Sequence, residues 1–349
     1  MLQRSTYVNT ATSGLLSQDL LEWRQEHDLD FLIGGSMAKA KTHILLEKTR
    51  KTVAQFFNFK EEHVALVPSF SQGLNLLLEG LDPSEKILLL QGDYPSLNWP
   101  FESRGFALEY LLMQEDLEAQ IYNTVKNRNI TIFACSAVQW RNGFKIDLGF
   151  FKKLKTDFPE LVIVMDATQF CGTEYFDFED SGVAILGSSG YKWLLAGYGN
   201  GFMMVKPEVQ NRFTLKSRGY GSGRNAKDQN DGRTFCKQLE PGHLDSLCFG
   251  SLEFSMRFLM GIGLETIGEH NRELSQYTKG HLAALGLLED AIVNRKTIST
   301  IFSIKGKDNY DKLLKNNVLC ARRGDGTRLS FHFYNTKDEV DRIIEILKK

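Results

Sequence analysis

Residues 183–206 read VAILGSSGYKWLLAGYGNGFMMVK. Two apolar runs of strand length, VAILGSS (183–189) and GFMMVK (201–206), flank a glycine-rich connection. Between Gly187 and Gly201 there is a single cation, Lys192, set among small and aromatic residues. It lacks the Asp and Glu neighbours of an ordinary surface lysine. A lysine placed in this way is suited to giving up its proton and forming an imine.

Outward from this stretch, the same strand signal recurs. HVALVP (63–68), KILLLQGD (86–93), ALEYLLM (107–113), NITIFACS (129–136) and LVIVMD (161–166) bring the strand-like runs to seven. Helical spacing separates several of them, in SQGLNLLLEGL (71–81), QEDLEAQIYNTVKN (114–127) and FFKKLKTDF (150–158). Strands alternating with helices predict an α/β fold, with a mostly parallel seven-stranded sheet between helices. After residue 212 the pattern changes. Residues 214–234, TLKSRGYGSGRNAKDQNDGRT, are polar and read as a long loop or lid. Beyond them come an apolar helix (244–263), a helix (272–292), strand-like TISTIFSIKG (297–306) and RLSFHFYN (328–335), and a final helix (337–349). This predicts a large domain over 15–245 and a smaller α+β domain built from 1–14 plus 246–349.

The 349 residues are 42% hydrophobic, with 42 Lys and Arg against 43 Asp and Glu, enough for a sizeable core. The balanced charge argues against a nucleic-acid binder, which would carry a basic surplus. No segment approaches the roughly 20 apolar residues of a membrane span. MLQRSTYVNTATSGLL at the N-terminus has no continuous apolar run of the kind a secretory signal needs. The five cysteines are odd in number and form no CxxC pair, so neither a disulfide framework nor a zinc cage is expected. Reduced thiols in a cytoplasmic protein are the expectation.

In open α/β sheets, ligands sit at the carboxyl ends of the strands. Those ends carry Asp166, Thr168 and Gln169; Ser188 to Lys192; Ser69 to Gln72 at a helix start; Asp93 and Tyr94; and Ser136, Gln139 and Trp140. Each has a plainer explanation by itself. An Asp ending a strand is often a turn former, and a serine before a helix is usually an N-cap. Together they match the needs of pyridoxal 5'-phosphate: an imine-forming lysine, a carboxylate for the ring nitrogen, an aromatic face, and hydroxyls with a helix N-terminus for the phosphate.

MDATQ (165–169), SSGYKWLLAGYGNG (188–201), SFSQGLN (69–75), RLSFHFYNT (328–336) and YVNTATSGLL (7–16) together resemble the class V aminotransferases. These are fold-type I pyridoxal-phosphate enzymes that include cysteine desulfurases, kynureninases and isopenicillin-N-epimerase-like proteins. The resemblance implies that Lys192 is the Schiff-base lysine, Asp166 the partner of the pyridine nitrogen, and Gln169 a contact to the ring hydroxyl. It implies Tyr94, with Trp140, as the aromatic surroundings of the ring. Phe70, Ser71, Ser189 and Tyr191 are the implied phosphate cup, Tyr191 standing where many relatives have His. Gly242 and His243 match positions that reach a neighbouring subunit's phosphate. Arg328 matches the clamp for a substrate carboxylate. Arg322 or Arg323 is either a second contact or a solvated loop arginine. The resemblance further implies a homodimer acting on an amino acid and a 2-oxo acid.

Desulfurases of this family carry a nucleophilic cysteine between these arginine positions. Here that stretch is RRGDGTR (322–328), without cysteine, and Cys320 just before it sits in an apolar context. Persulfide chemistry on that loop is therefore not expected; the resemblance implies transamination, the family's commonest label, as the expected reaction, with a pyridoxal-phosphate lyase or epimerase as the alternative. A non-catalytic module that keeps the fold is a further rival. So is a dinucleotide-binding dehydrogenase, although GYGNG (197–201) precedes a strand where such a fingerprint must open a helix.

Overall fold

The computed structural model describes residues 5–222 and 234–349. Residues 223–233, the middle of the expected polar loop, lie outside the described residues. Among the described residues twelve strands occur in chain order: β1 (Thr6–Tyr7), β2 (Val64–Val67), β3 (Lys86–Leu90), β4 (Ala107–Leu111), β5 (Ile132–Ser136), β6 (Val162–Asp166), β7 (Ile185–Ser189), β8 (Gly201–Val205), β9 (Ile301–Ile304), β10 (Val318–Leu319), β11 (Ala321–Arg323) and β12 (Gly326–Ser330).

The central sheet has seven strands in the order β2-β8-β7-β6-β5-β3-β4. Its core pairings, β4 with β3, β3 with β5, β5 with β6 and β6 with β7, are parallel. β8 is antiparallel to both of its neighbours. Only residues 190–200 join β7 to β8, too few for the helical crossover that a parallel return requires. The glycine-rich stretch is therefore a tight reversal at a strand end, which excludes the dinucleotide fingerprint.

Alternation along the strands explains why their runs are apolar throughout. Val64, Leu66, Phe133 and Cys135 face one core, while Ala65, Val67, Ile132 and Ala134 face the other. With period-2 side chains, a strand covered on both faces has no polar side. A third core lies beneath β9, β12 and the helix Lys337–Lys348, and includes Val8 from the N-terminal segment. β1 pairs in parallel with β10, and Asn9 bridges to Ser330. Residues 6–9 are thus held by residues 318–330.

Two long helices, Gln18–Gly34 and Ser36–Phe56, precede the sheet. The sequence reading contains no counterpart of them. In Gln18–Gly34 only Leu20 is buried, and the other apolar residues form no core-facing stripe. The helix Ser246–Ile262 packs along Ser36–Phe56 and places Phe249, Leu252, Met256 and Leu259 in the core beside the sheet. The strand expected over 328–335 ends at Ser330. There Asn335 turns back, its Oδ1 accepting from the His332 backbone N–H at 2.9 Å.

Candidate active site

Asp166 ends β6, and in register beside it Ser136 ends β5. The carboxylate is 4% exposed and accepts from the Thr168 backbone N–H at 2.9 Å. Burial raises its pKa to about 6, opposed by the Thr168 hydrogen bonds and by the charge of Lys192. Thr168 also accepts, through Oγ1, from the Ser189 backbone N–H at 3.2 Å. It thereby ties the end of β6 to the end of β7. Ser189 Oγ accepts from the Phe70 N–H at 2.9 Å, where the helix Phe70–Leu78 begins. Its own hydroxyl proton is left to donate. Ser69 caps the helix by accepting from the Gln72 N–H, and Ser71 is half-buried in the first turn. A hydroxyl and a helix N-terminus thus meet as an anion cup requires.

Lys192 follows directly and is 5% exposed. Its Nζ lies 5.2 Å from the Tyr94 ring centre and 5.4 Å from that of Tyr191. Among the described residues it has no carboxylate within 4.0 Å. Burial lowers its pKa to about 8, Asp166 opposing this and Arg328 and Arg323 adding to it. A neutral amine, the form that attacks a carbonyl, is therefore accessible near physiological pH. The backbone around it is tightly fixed. The Gly14 N–H donates to Tyr191 O at 2.8 Å, and a Cβ on Gly14 would lie 2.0 Å from Lys192 O.

Tyr94 is half-buried and meets Trp140 edge-on, with ring centres 5.8 Å apart. Trp140 Nε1 is buried without an acceptor. Tyr191 stacks on the exposed Tyr198 at 4.5 Å, and burial raises its phenol pKa. Asp93, placed by the sequence at a strand end but given no role there, accepts from Ser136 N, Ser136 Oγ and Tyr94 N at 2.8, 2.6 and 2.7 Å. It fixes the backbone that carries Tyr94. The Gln169 amide is held at both ends: Oε1 accepts from Trp193 Nε1 at 2.8 Å, and Nε2 donates to Ala11 O at 3.1 Å. One N–H of that amide remains for another partner.

Arg328 is 1% exposed and donates to Trp140 O at 2.7 Å and Thr12 Oγ1 at 2.6 Å. Burial and the neighbouring Arg323 lower its pKa to about 10, so it stays charged at neutral pH. Hairpin register separates the two preceding arginines. Ala321 lies opposite Arg328 and Arg322 opposite Thr327, so Arg322 faces away from Arg328. Arg322 is exposed and pairs with Asp311 at 2.8 Å, whereas Arg323 reaches Thr12 Oγ1 at 3.2 Å. Arg323, not Arg322, shares the surroundings of Arg328. Thr12 had no signal in sequence beyond its place in YVNTATSGLL. His243 is exposed and meets the Tyr220 ring at a tilt, centres 5.0 Å apart, with Gly242 in a groove that also includes Ser71 and Gln72.

None of the five thiols is activated. Burial raises Cys135, Cys171, Cys236, Cys248 and Cys320, the last to about 11. Cys320 faces the small core.

These residues fit pyridoxal 5'-phosphate. The buried amine is unpaired, the buried carboxyl at about pH 6 would ionise beside a cationic ring nitrogen, and the Ser189 hydroxyl stands at a helix start. A family model for Aminotransferase class-V matches residues 33–343. Among curated relatives, a probable cysteine desulfurase of Ureaplasma parvum serovar 3 is 24% identical, with 88% of this chain and 83% of the relative aligned. An isopenicillin N epimerase of Amycolatopsis lactamdurans is 26% identical, over 87% of this chain and 85% of the relative. The cystine C–S lyase C-DES, solved with cysteine persulfide, shares the fold at a TM-score of 0.87 and 17% identity, over 99% of this chain and 98% of the lyase. Another structure of C-DES carries glycine covalently linked to its PLP cofactor. The chain belongs to the class-V aminotransferase family of pyridoxal 5'-phosphate enzymes.

Proposed function

We propose that the protein is an aminotransferase that withdraws the amino group of an amino acid and passes it to a 2-oxo acid. The observation that carries this reading is Lys192: buried, without an ion-pair partner, and set beside Asp166 at neighbouring strand ends. When bound, the cofactor supplies a ring that accepts the electron pair of a bond broken at the substrate Cα. Everything else is work for the chain. Lys192 Nζ, as a neutral amine, would attach the cofactor and, once released, would take the proton from the substrate Cα and give it up away from Cα, so that Cα can leave as the carbonyl carbon of a 2-oxo acid. Asp166 keeps a proton on the ring nitrogen. Tyr94 covers one ring face. Phe70, Ser71, Ser189 and Tyr191 hold the phosphate, and Gln169 offers its remaining N–H to the ring hydroxyl. Arg328 fixes the substrate carboxylate with its planar fork.

The raised thiols support this reading over a desulfurase that forms a persulfide on its own cysteine, because attack requires a thiolate. Purified holoenzyme incubated with amino acids and 2-oxo acids tests the proposal. New amino acid formed together with new 2-oxo acid is the expected result. Release of sulfide or ammonia, or inversion at Cα without amino exchange, would replace it with the lyase or epimerase reading.

We also propose a homodimer. Leu29, Leu32, Ile33, Met37 and Ile44 are all more than half exposed on consecutive helices, an apolar surface of the kind subunits cover.

A further inference from the structure

Arg323 and Arg328 are neighbouring cations without an anion. Both donate to the one hydroxyl of Thr12, and Arg328 also donates to Trp140 O. Arg323 further donates to Arg322 O at 2.9 Å. The Nε–H of each is buried with no acceptor. A third guanidinium lies at the hairpin turn next to Arg323: Arg141, exposed and following Trp140, has its Nη2 3.0 Å from where a Cβ on Gly324 would stand. Among the described residues none of the three has a carboxylate within 4.0 Å. Arg24, Arg104 and Arg342 also bond only to neutral groups, but among the described residues no other arginine has a buried Nε–H without an acceptor. Arg323 and Arg328 both lie near enough to lower the proton affinity of Lys192.

One carboxylate satisfies one guanidinium fork. An amino acid with a neutral side chain brings one carboxylate and an ammonium, leaving the second arginine buried at its Nε and unanswered. Building on the aminotransferase reading, we infer that the substrate carries a second anionic group. It is an amino acid, or its 2-oxo acid, with an acidic side chain. Arg328 takes the α-carboxylate, and Arg323 with Arg141 takes the side-chain acid. Charge then balances across the site, and the orphaned Nε donors gain acceptors.

The test titrates holoenzyme with aspartate, glutamate, alanine and serine, followed by visible absorbance. Aspartate or glutamate is expected to half-saturate at a concentration about tenfold or more below alanine and serine. Arg323→Gln is expected to weaken the acidic amino acids about tenfold more than alanine, with Arg141→Gln acting in the same direction. Equal responses to acidic and neutral amino acids would overturn the inference. So would an Arg323→Gln protein weakened equally toward both, since Arg323 would then hold the shared α-carboxylate. If the protein takes up no cofactor, the aminotransferase reading fails, and calorimetry on the apoprotein decides the present one. Maleate binding about tenfold tighter than acetate, lost in Arg323→Gln, supports it. No such difference sinks it.

Discussion

The proposed chemistry rests on Lys192, and the environment of this residue sets the sign of two effects. Its folded pKa of about 8 lies below the usual 10.5. Capture of pyridoxal 5'-phosphate by apoprotein should therefore speed up as pH rises and level off above about 8, in stopped-flow absorbance. A rate independent of pH from 6 to 9 would contradict the shift. Between the two pKa values the unfolded chain binds more protons, so the lysine penalises the fold most below pH 8. Lys192→Met apoprotein should accordingly melt higher than wild type at pH 7, with the gap narrowing as pH climbs toward 10.5. The same variant should remain colourless with cofactor and resist trapping by borohydride. Asp166→Asn removes the charge that keeps the ring nitrogen protonated. It is expected to cut turnover by about 100-fold or more while cofactor still binds. Lys192 and Asp166 were both legible in sequence, because strand ends in an open sheet converge. The choice of Arg323 over Arg322 was not, because alternation along β11 reverses with a shift of one residue.

At the scale of elements, the segment after β12 grips the lysine turn through one histidine. His332 is fully buried, and its Nε2–H donates to Trp193 O at 3.0 Å, one residue beyond Lys192. Burial lowers its pKa to about 4, from 6.5. The unfolded chain binds the extra proton between those values, so stability falls as pH drops from 6.5 through about 4. A shift of this size corresponds to a loss on the order of 3 kcal/mol. Asp166, with a raised pKa, works in the opposite direction between 3.8 and about 6 and offsets part of the loss. Melting temperature against pH should therefore fall less on acidification in His332→Gln than in wild type. Parallel curves would show that His332 does not carry the effect. The strands β2, β3 and β5 to β8 were legible because each buries both faces, whereas β4, at the sheet edge and without a buried residue, was legible from its apolar run alone. The helix Gln18–Gly34 was not, because only Leu20 on it reaches the core.

The whole molecule is a mixed sheet with its chemistry along one edge, closed by N- and C-terminal segments that pair through β1 and β10. Leu32, Ile33 and Met37, three of its most exposed large apolar side chains, lie on the two helices ahead of the sheet. Sedimentation equilibrium is expected to give twice the chain mass, and Leu32→Glu with Ile33→Lys to reduce it to one. A wild-type monomer would remove the dimer from the proposal.

The sequence by itself determined the sheet, the order of its strands along the chain, and the lysine and aspartate at their ends. These follow from local periodicity and from where strands stop. Tertiary structure alone decided that β8 runs antiparallel, that Thr168 and Asp93 order the site, and that Arg323 joins Arg328 at Thr12. Those features depend on which face a side chain takes and what approaches it from far along the chain, and no local pattern encodes either.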